Sequence, residues 1–134
     1  MKRFFMHKTF LSLGALFGGI AVALGAFGAH GLKKIVSTDV VSVFQTGVQY
    51  QMYHTLALLV IAIVYERLPN KWIKWSGHLF SFGILFFSGS LYLITALKAE
   101  ERSTPALIGA ITPIGGLLFI LGWLSFLIGL FRRN

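Results

Sequence analysis

The sequence predicts an all-α integral membrane protein, a four-helix bundle in one transmembrane domain over residues 1–134 with both termini cytoplasmic. Three observations predict it. Four long apolar stretches fill the chain, and their connections are short and charged. Apolar residues make up 56 % of the chain and charged residues only 12 %, against ~25 % charged in soluble proteins. A hydrocarbon core of ~30 Å needs a helix of ~20 residues. Four such helices therefore use most of the 134 residues and leave no room for a soluble catalytic domain. Cysteine is absent, which excludes disulfides, thiolate metal sites and cysteine nucleophiles. A net charge of +8 would point to nucleic acid in a soluble chain. Here the bases stand at the ends of apolar segments, where they anchor and orient helices, so no nucleic-acid partner is expected.

The first helix is predicted over about 9–30, after the basic start Lys2, Arg3 and Lys8. A cleaved signal peptide competes with that reading, but about 20 apolar residues exceed the usual ~7–15 of a signal core. The second helix ends near Tyr65, where Glu66, Arg67 and Pro69 stop it. Its wholly apolar part, Leu56 to Tyr65, is too short to span, so the helix extends back to about Thr46. That places it over 46–66 and draws Gln49, Gln51 and His54 into the bilayer. Before it, Val36, Val40 and Val43 share one face, with Ser37, Thr38 and Asp39 alongside. This stretch is either a short interfacial helix or the early turns of the second helix, which would then begin at 38; the latter is favoured. The third helix is predicted over 75–97. The fourth covers 105–131, with Ser103 or Thr104 as its cap, Pro105 in its first turn and Arg132 and Arg133 at its end.

Basic residues set the orientation. One side collects Lys2, Arg3, Lys8, Arg67, Lys71, Lys74, Arg132 and Arg133, the other Lys33, Lys34, Lys98 and Arg102. Lys and Arg favour the cytoplasmic side, so both termini should face it. Trp72, Trp75 and Tyr65 are suited to anchor that interface.

The unusual polar and glycine-rich motifs fall in the four opposite, outward half-segments. They are Gly25-Ala-Phe-Gly-Ala-His30, Tyr50-Gln-Met-Tyr-His54, Ser88-Gly-Ser-Leu-Tyr92 and Thr112-Pro-Ile-Gly-Gly116. Gly47, Tyr50, Gln51 and His54 share one stripe of the second helix, with Gln49 nearly opposite. Polar residues inside a membrane face the bundle and find partners. His54, ~12 Å from a helix start at Thr46, is expected to be neutral there. An interhelical hydrogen bond to a serine or tyrosine is the simpler role for it, and a ligand or proton role the other. His30 stands at the outer boundary near Lys33 and Lys34, where it is an interfacial residue or part of a site for a lipid phosphate or anionic solute.

Gly14, Gly18, Gly25 and Ala29 form one face of the first helix, and Gly115, Gly122 and Gly129 recur every seven residues on the fourth. Small residues let helix backbones approach closely, and packing within the chain is favoured over dimerisation. Pro113 removes a backbone hydrogen bond to Gly109 and predicts a kink in the fourth helix. Asp39, Glu66, Glu100 and Glu101 all fall in or beside connections, so no buried acid pair serves acid–base chemistry. Zinc needs three or four ligands, and His7 and His78 belong to the other end from His30 and His54. The depths of His30 and His54 are also poorly matched for a shared haem. No catalytic residue, metal or cofactor is expected.

The four motifs, in this order and spacing, resemble domain of unknown function 423, a family of small membrane proteins also called UPF0382, whose eukaryotic branch is transmembrane protein 256. The matching stretches are Gly25–Leu32 (GAFGAHGL), Phe44–Leu59 (FQTGVQYQMYHTLALL), Phe87–Leu97 (FSGSLYLITAL) and Ile108–Trp123 (IGAITPIGGLLFILGW). The resemblance implies a multi-pass protein of the bacterial plasma membrane and carries no biochemical activity with it. The expected function is thus non-enzymatic. A polar pocket in the outer half of the bundle, formed by His30, Tyr50, Gln51, His54, Ser88, Tyr92 and Thr112, would bind membrane lipid, a small hydrophobic ligand or a partner helix. The alternative is an oligomeric transporter or pore for a small solute or ion, gated at Pro113. A homo-oligomer fits either reading.

Overall fold

A computed structural model describes residues 7–132; Lys2, Arg3 and Arg133, counted above for orientation, lie outside them. The described residues contain helices and no strand. The first helix, α1, spans Lys8–His30, and a single 3-10 turn at Leu32–Lys34 leads into α2, Thr38–Arg67. Next come α3 (Lys71–Gly83), a π-helical turn (Ile84–Ser88), α4 (Gly89–Ala99) and α5 (Ala106–Phe131). The segment from Lys71 to Ala99 is a continuous 29-residue span, so the described residues hold four helices long and apolar enough to cross a membrane. The all-α membrane bundle is the predicted fold class.

The helix boundaries differ from the hydropathy reading in physically simple ways. The second helix starts at Thr38, the favoured of its two starts, and the stretch ahead of Thr46, whose hydropathy is lower, forms its early turns. The third starts at Lys71 rather than residue 75, because Asn70 caps it: its Oδ1 accepts from the backbone N–H of Trp72 at 3.0 Å and of Ile73 at 3.1 Å. Lys71 and Lys74 lower the local hydropathy but do not oppose helix formation. The fourth begins at Ala106, with Pro105 in the cap position and no side-chain cap from Ser103 or Thr104. It continues through Pro113 to Phe131 without interruption.

Helix α1 packs on α2, α3 packs on α5, and α2 with α3 joins the two pairs. Glycines set both pairings. On α5, Gly129, Gly122 and Gly115 face Ile73, Phe80 and Phe87 of the third span. Large residues seven apart thus meet glycines seven apart running in the opposite direction. On α1, Gly14 and Gly18 face Leu59 and Thr55, Gly25 faces Val48 and Gly28 faces Phe44. Both glycine faces are therefore used inside the chain, where close backbone approach maximises dispersion contact. Outside the stripe Gly115, Phe119, Gly122, Ser125 and Gly129, much of α5 turns exposed leucine and isoleucine outward, including Leu117, Ile120, Leu124 and Leu127. Such an outer face suits lipid.

The start of α1, the end of α2, the start of α3 and the end of α5 share one end of the bundle. The His7 backbone N–H donates to the Ala62 carbonyl at 3.3 Å. Asn70 Nδ2 donates to the Gly129 carbonyl at 3.0 Å. His7 stacks on Phe10 at 3.9 Å, and its Nδ1 is buried with no hydrogen-bond partner among the described residues. Burial first, then the positive Lys74 and His78 nearby, hold its pKa below the ordinary 6.5. The unfolded chain therefore binds a proton more readily than the folded one. Stability is full above that ordinary value and declines as pH falls below it. His7→Phe should flatten this acid limb: between about pH 7 and pH 5 its melting temperature should fall less than that of the parent. Equal acid slopes would remove His7 from that account.

Candidate functional site

The site is built on the middle of α2. Measured from Thr38 at about 1.5 Å per residue, His54 lies about 24 Å along its helix, near the middle and not at the ~12 Å expected from a start at Thr46. It is 5 % exposed. Its Nε2 accepts from the Trp123 indole Nε1 at 3.2 Å, and its Nδ1 lies 2.7 Å from the Tyr50 carbonyl. A carbonyl can only accept and an indole N–H can only donate. Both contacts are made at once by one species, the neutral imidazole with its proton on Nδ1. Phe119 stacks on the same ring at 3.5 Å and 6°, and Phe80 lies against it at 5.2 Å. Both ring nitrogens are thus spent, which leaves no lone pair for a metal or proton relay unless the Trp123 bond opens.

The expected serine or tyrosine partner of His54 is therefore an indole. One signal for it was present: Trp123 sits well inside an apolar segment, where an indole N–H needs an acceptor. Phe119, four residues earlier, follows on the same face.

Beside this pair, α2 and α5 stand apart around a groove of about 510 Å³. Tyr50 and His54 form one wall, Phe119 and Trp123 another, and Phe87 projects from the π turn. Pro113 and Gly116 line its α5 side, with Leu117 and Ile120 at the outer edge. A Cβ on Gly116 would stand 3.8 Å from the Phe87 ring, ordinary contact, so the groove has room there. Pro113 has no N–H, which leaves the Gly109 carbonyl without its usual helical donor. π turns recur at functional positions, and this one sits where Phe87 enters the groove.

The other predicted residues are not gathered into this groove. Gln51 is 2 % exposed; its Nε2 donates to the Phe17 carbonyl at 2.8 Å and its Oε1 accepts from the Tyr92 hydroxyl at 2.7 Å. Those bonds tie α1, α2 and α4 together. Ser88 donates to the Gly47 carbonyl at 2.6 Å, and the Ser90 and Thr112 hydroxyls pair at 2.6 Å. His30 is exposed at the end of α1, with no hydrogen bond among the described residues. Instead of one polar pocket, this half of the bundle contains several closed pairs. Tyr50 and His54 alone of the seven line the groove. Polar pairs of this kind each contribute about 0.6 kcal/mol between membrane helices, a scale that suits packing.

Residues 24–116 match the model of a protein family described as "Protein of unknown function (DUF423)". A UPF0382 membrane protein of Staphylococcus saprophyticus is 48 % identical over 125 residues, 93 % of this chain and 98 % of that protein. One from Haemophilus influenzae is 46 % identical over 129 residues, 96 % of this chain and 98 % of that protein. The UPF0382 inner membrane protein YgdD of Escherichia coli is 40 % identical over 125 residues, 93 % of this chain and 91 % of that protein. No solved structure matches the chain.

Proposed function

This chain belongs to the DUF423 family and is a multi-pass protein of the plasma membrane, and on that premise we propose that it is a non-enzymatic lipid binder whose α2–α5 groove holds an acyl chain. The observation that carries this reading is the groove of about 510 Å³ whose walls are mostly rings and aliphatic side chains. Its one histidine has both nitrogens engaged elsewhere, so an apolar occupant fits better than a hydrogen-bonding one. Within a bilayer no water is released when a chain enters such a groove. Residence there rests on dispersion against Tyr50, Phe87 and Phe119, which a fitted chain gains over a fluid neighbour. Both termini face the cytoplasm in this proposal, following the distribution of lysine and arginine.

Native mass spectrometry from mild detergent tests it. The parent protein should retain lipid, and Gly116→Leu, which fills the groove from inside, should lose most of it. Gly19→Leu is the control, since a Cβ there meets nothing within 4 Å. Equal lipid retention in both variants would refute the reading.

A further inference from the structure

The end of the bundle that gathers the start of α1, the α2–α3 connection and the end of α5 is one-sidedly basic. Among the described residues Lys8, Arg67, Lys71, Lys74 and Arg132 belong to it against a single carboxylate side chain, Glu66, whereas the opposite end sets Lys33, Lys34, Lys98 and Arg102 against Asp39, Glu100 and Glu101. Among the described residues the one ion pair is Arg102–Glu100, at that opposite end. At the basic end the cations lean on rings: Lys71 Nζ lies 5.6 Å from the centre of the Trp72 ring, and the Arg132 guanidinium 5.7 Å from it. No carboxylate among the described residues pairs with them.

Part of that charge is organised. Lys71, Lys74, Trp75 and His78 recur at the spacing of one helical face and line a hollow of about 280 Å³. Both lysines are exposed, and Trp75 is 59 % exposed. The inner edge is fixed by Phe10, edge-on to His78 at 5.2 Å. Asn70 caps the helix just before the stripe, so the positive end of the helix dipole adds to the two ammonium groups. In a membrane-spanning chain this first turn lies at the level of lipid headgroups, where tryptophan settles and lysines extend toward phosphate.

We propose that this stripe of α3 is a binding site for the phosphodiester of an anionic phospholipid. Lys71 and Lys74 hold the phosphate oxygens, His78 donates a ring N–H from below, and Trp75 lies along the glycerol and upper acyl chain. A zwitterionic headgroup brings its own cation into the same space and is repelled by the lysines, so the site discriminates by charge. The site is separate from the α2–α5 groove, and neither reading requires the other.

The test uses the full chain in mixed micelles with equal phosphatidylglycerol and phosphatidylcholine, read by native mass spectrometry. The parent should retain phosphatidylglycerol preferentially. The double variant Lys71→Gln/Lys74→Gln should lower that preference about fivefold per lysine, with an unchanged melting temperature because both side chains are exposed. Lys33→Gln/Lys34→Gln at the other end should leave it intact, and a large excess of inorganic phosphate should not displace the lipid. The proposal is overturned if the α3 variant retains phosphatidylglycerol like the parent, if the Lys33/Lys34 variant loses it equally, or if free phosphate removes it.

Discussion

Gly115→Ala is expected to disrupt the pairing of α3 with α5, while Gly116→Ala, one residue along, is expected to leave it intact. A methyl group on Gly115 would run into the backbone nitrogen and Cα of Phe87. A ring can rotate away from a new methyl, but backbone cannot, so the whole of α5 must move. That movement is resisted further down, where Gly122 faces Phe80 and Gly129 faces Ile73. Overpacking a close interface costs about 1–3 kcal/mol, and the rigid obstacle places Gly115→Ala at the upper end. In mild detergent its melting temperature should fall by roughly 10 °C. The methyl of Gly116→Ala would rest 3.8 Å from the Phe87 ring and should change the melting temperature little. Equal melting of the two variants would contradict the glycine-mediated pairing.

The second large effect is expected at Asn70, which sequence reading passed over. Its side chain is 7 % exposed and works in both directions. Its Oδ1 accepts from Trp72 and Ile73, starting α3, while its Nδ2 donates to Leu68 at 3.2 Å and to Gly129 at 3.0 Å. One residue thus caps the third span and ties it to the end of the fourth. Asn70→Ala loses a cap, about 1 kcal/mol, and leaves the Gly129 carbonyl short of a buried donor, about 1–3 kcal/mol more. Asn70→Asp keeps the cap but turns a donor into an acceptor facing two carbonyls. Both variants should melt well below the parent, with Asn70→Asp recovering only the capping share. Full recovery in Asn70→Asp would show that the bond to Gly129 contributes nothing.

Much of the fold was legible because hydropathy and helix length are one-dimensional quantities. The four spans follow from them, and glycine spacing at 115, 122 and 129 marked the face that α3 covers. Boundaries were read less well, since a charged first turn looks like a loop to hydropathy; Lys71 and Lys74 hid the true start of α3. The π turn at Ile84–Ser88 left no local mark beyond the flanking Gly83 and Gly89. For the site, sequence gives depth but not the angle at which each helix presents its residues. Gln51, Ser88, Tyr92 and Thr112 pair sideways and close off their own hydrogen bonds. His54 was recognised as a buried, neutral group, but its partner Trp123 lies 69 residues away in sequence.

Gln51, His54, Ser88, Ser90, Tyr92 and Thr112 spend their hydrogen bonds within the bundle, and the central claim is that the aromatic groove beside them holds a lipid chain. Photo-crosslinking with a phospholipid carrying a diazirine in mid-acyl chain tests it most directly, with adducts mapped by peptide mass spectrometry in membranes. Labelling concentrated on Tyr50, Gly116 and Ile120, and abolished there by Gly116→Leu, is the predicted result. Even labelling around all lipid-facing helices, with Val22 and Leu16 of α1 marked as strongly as the groove, would contradict it.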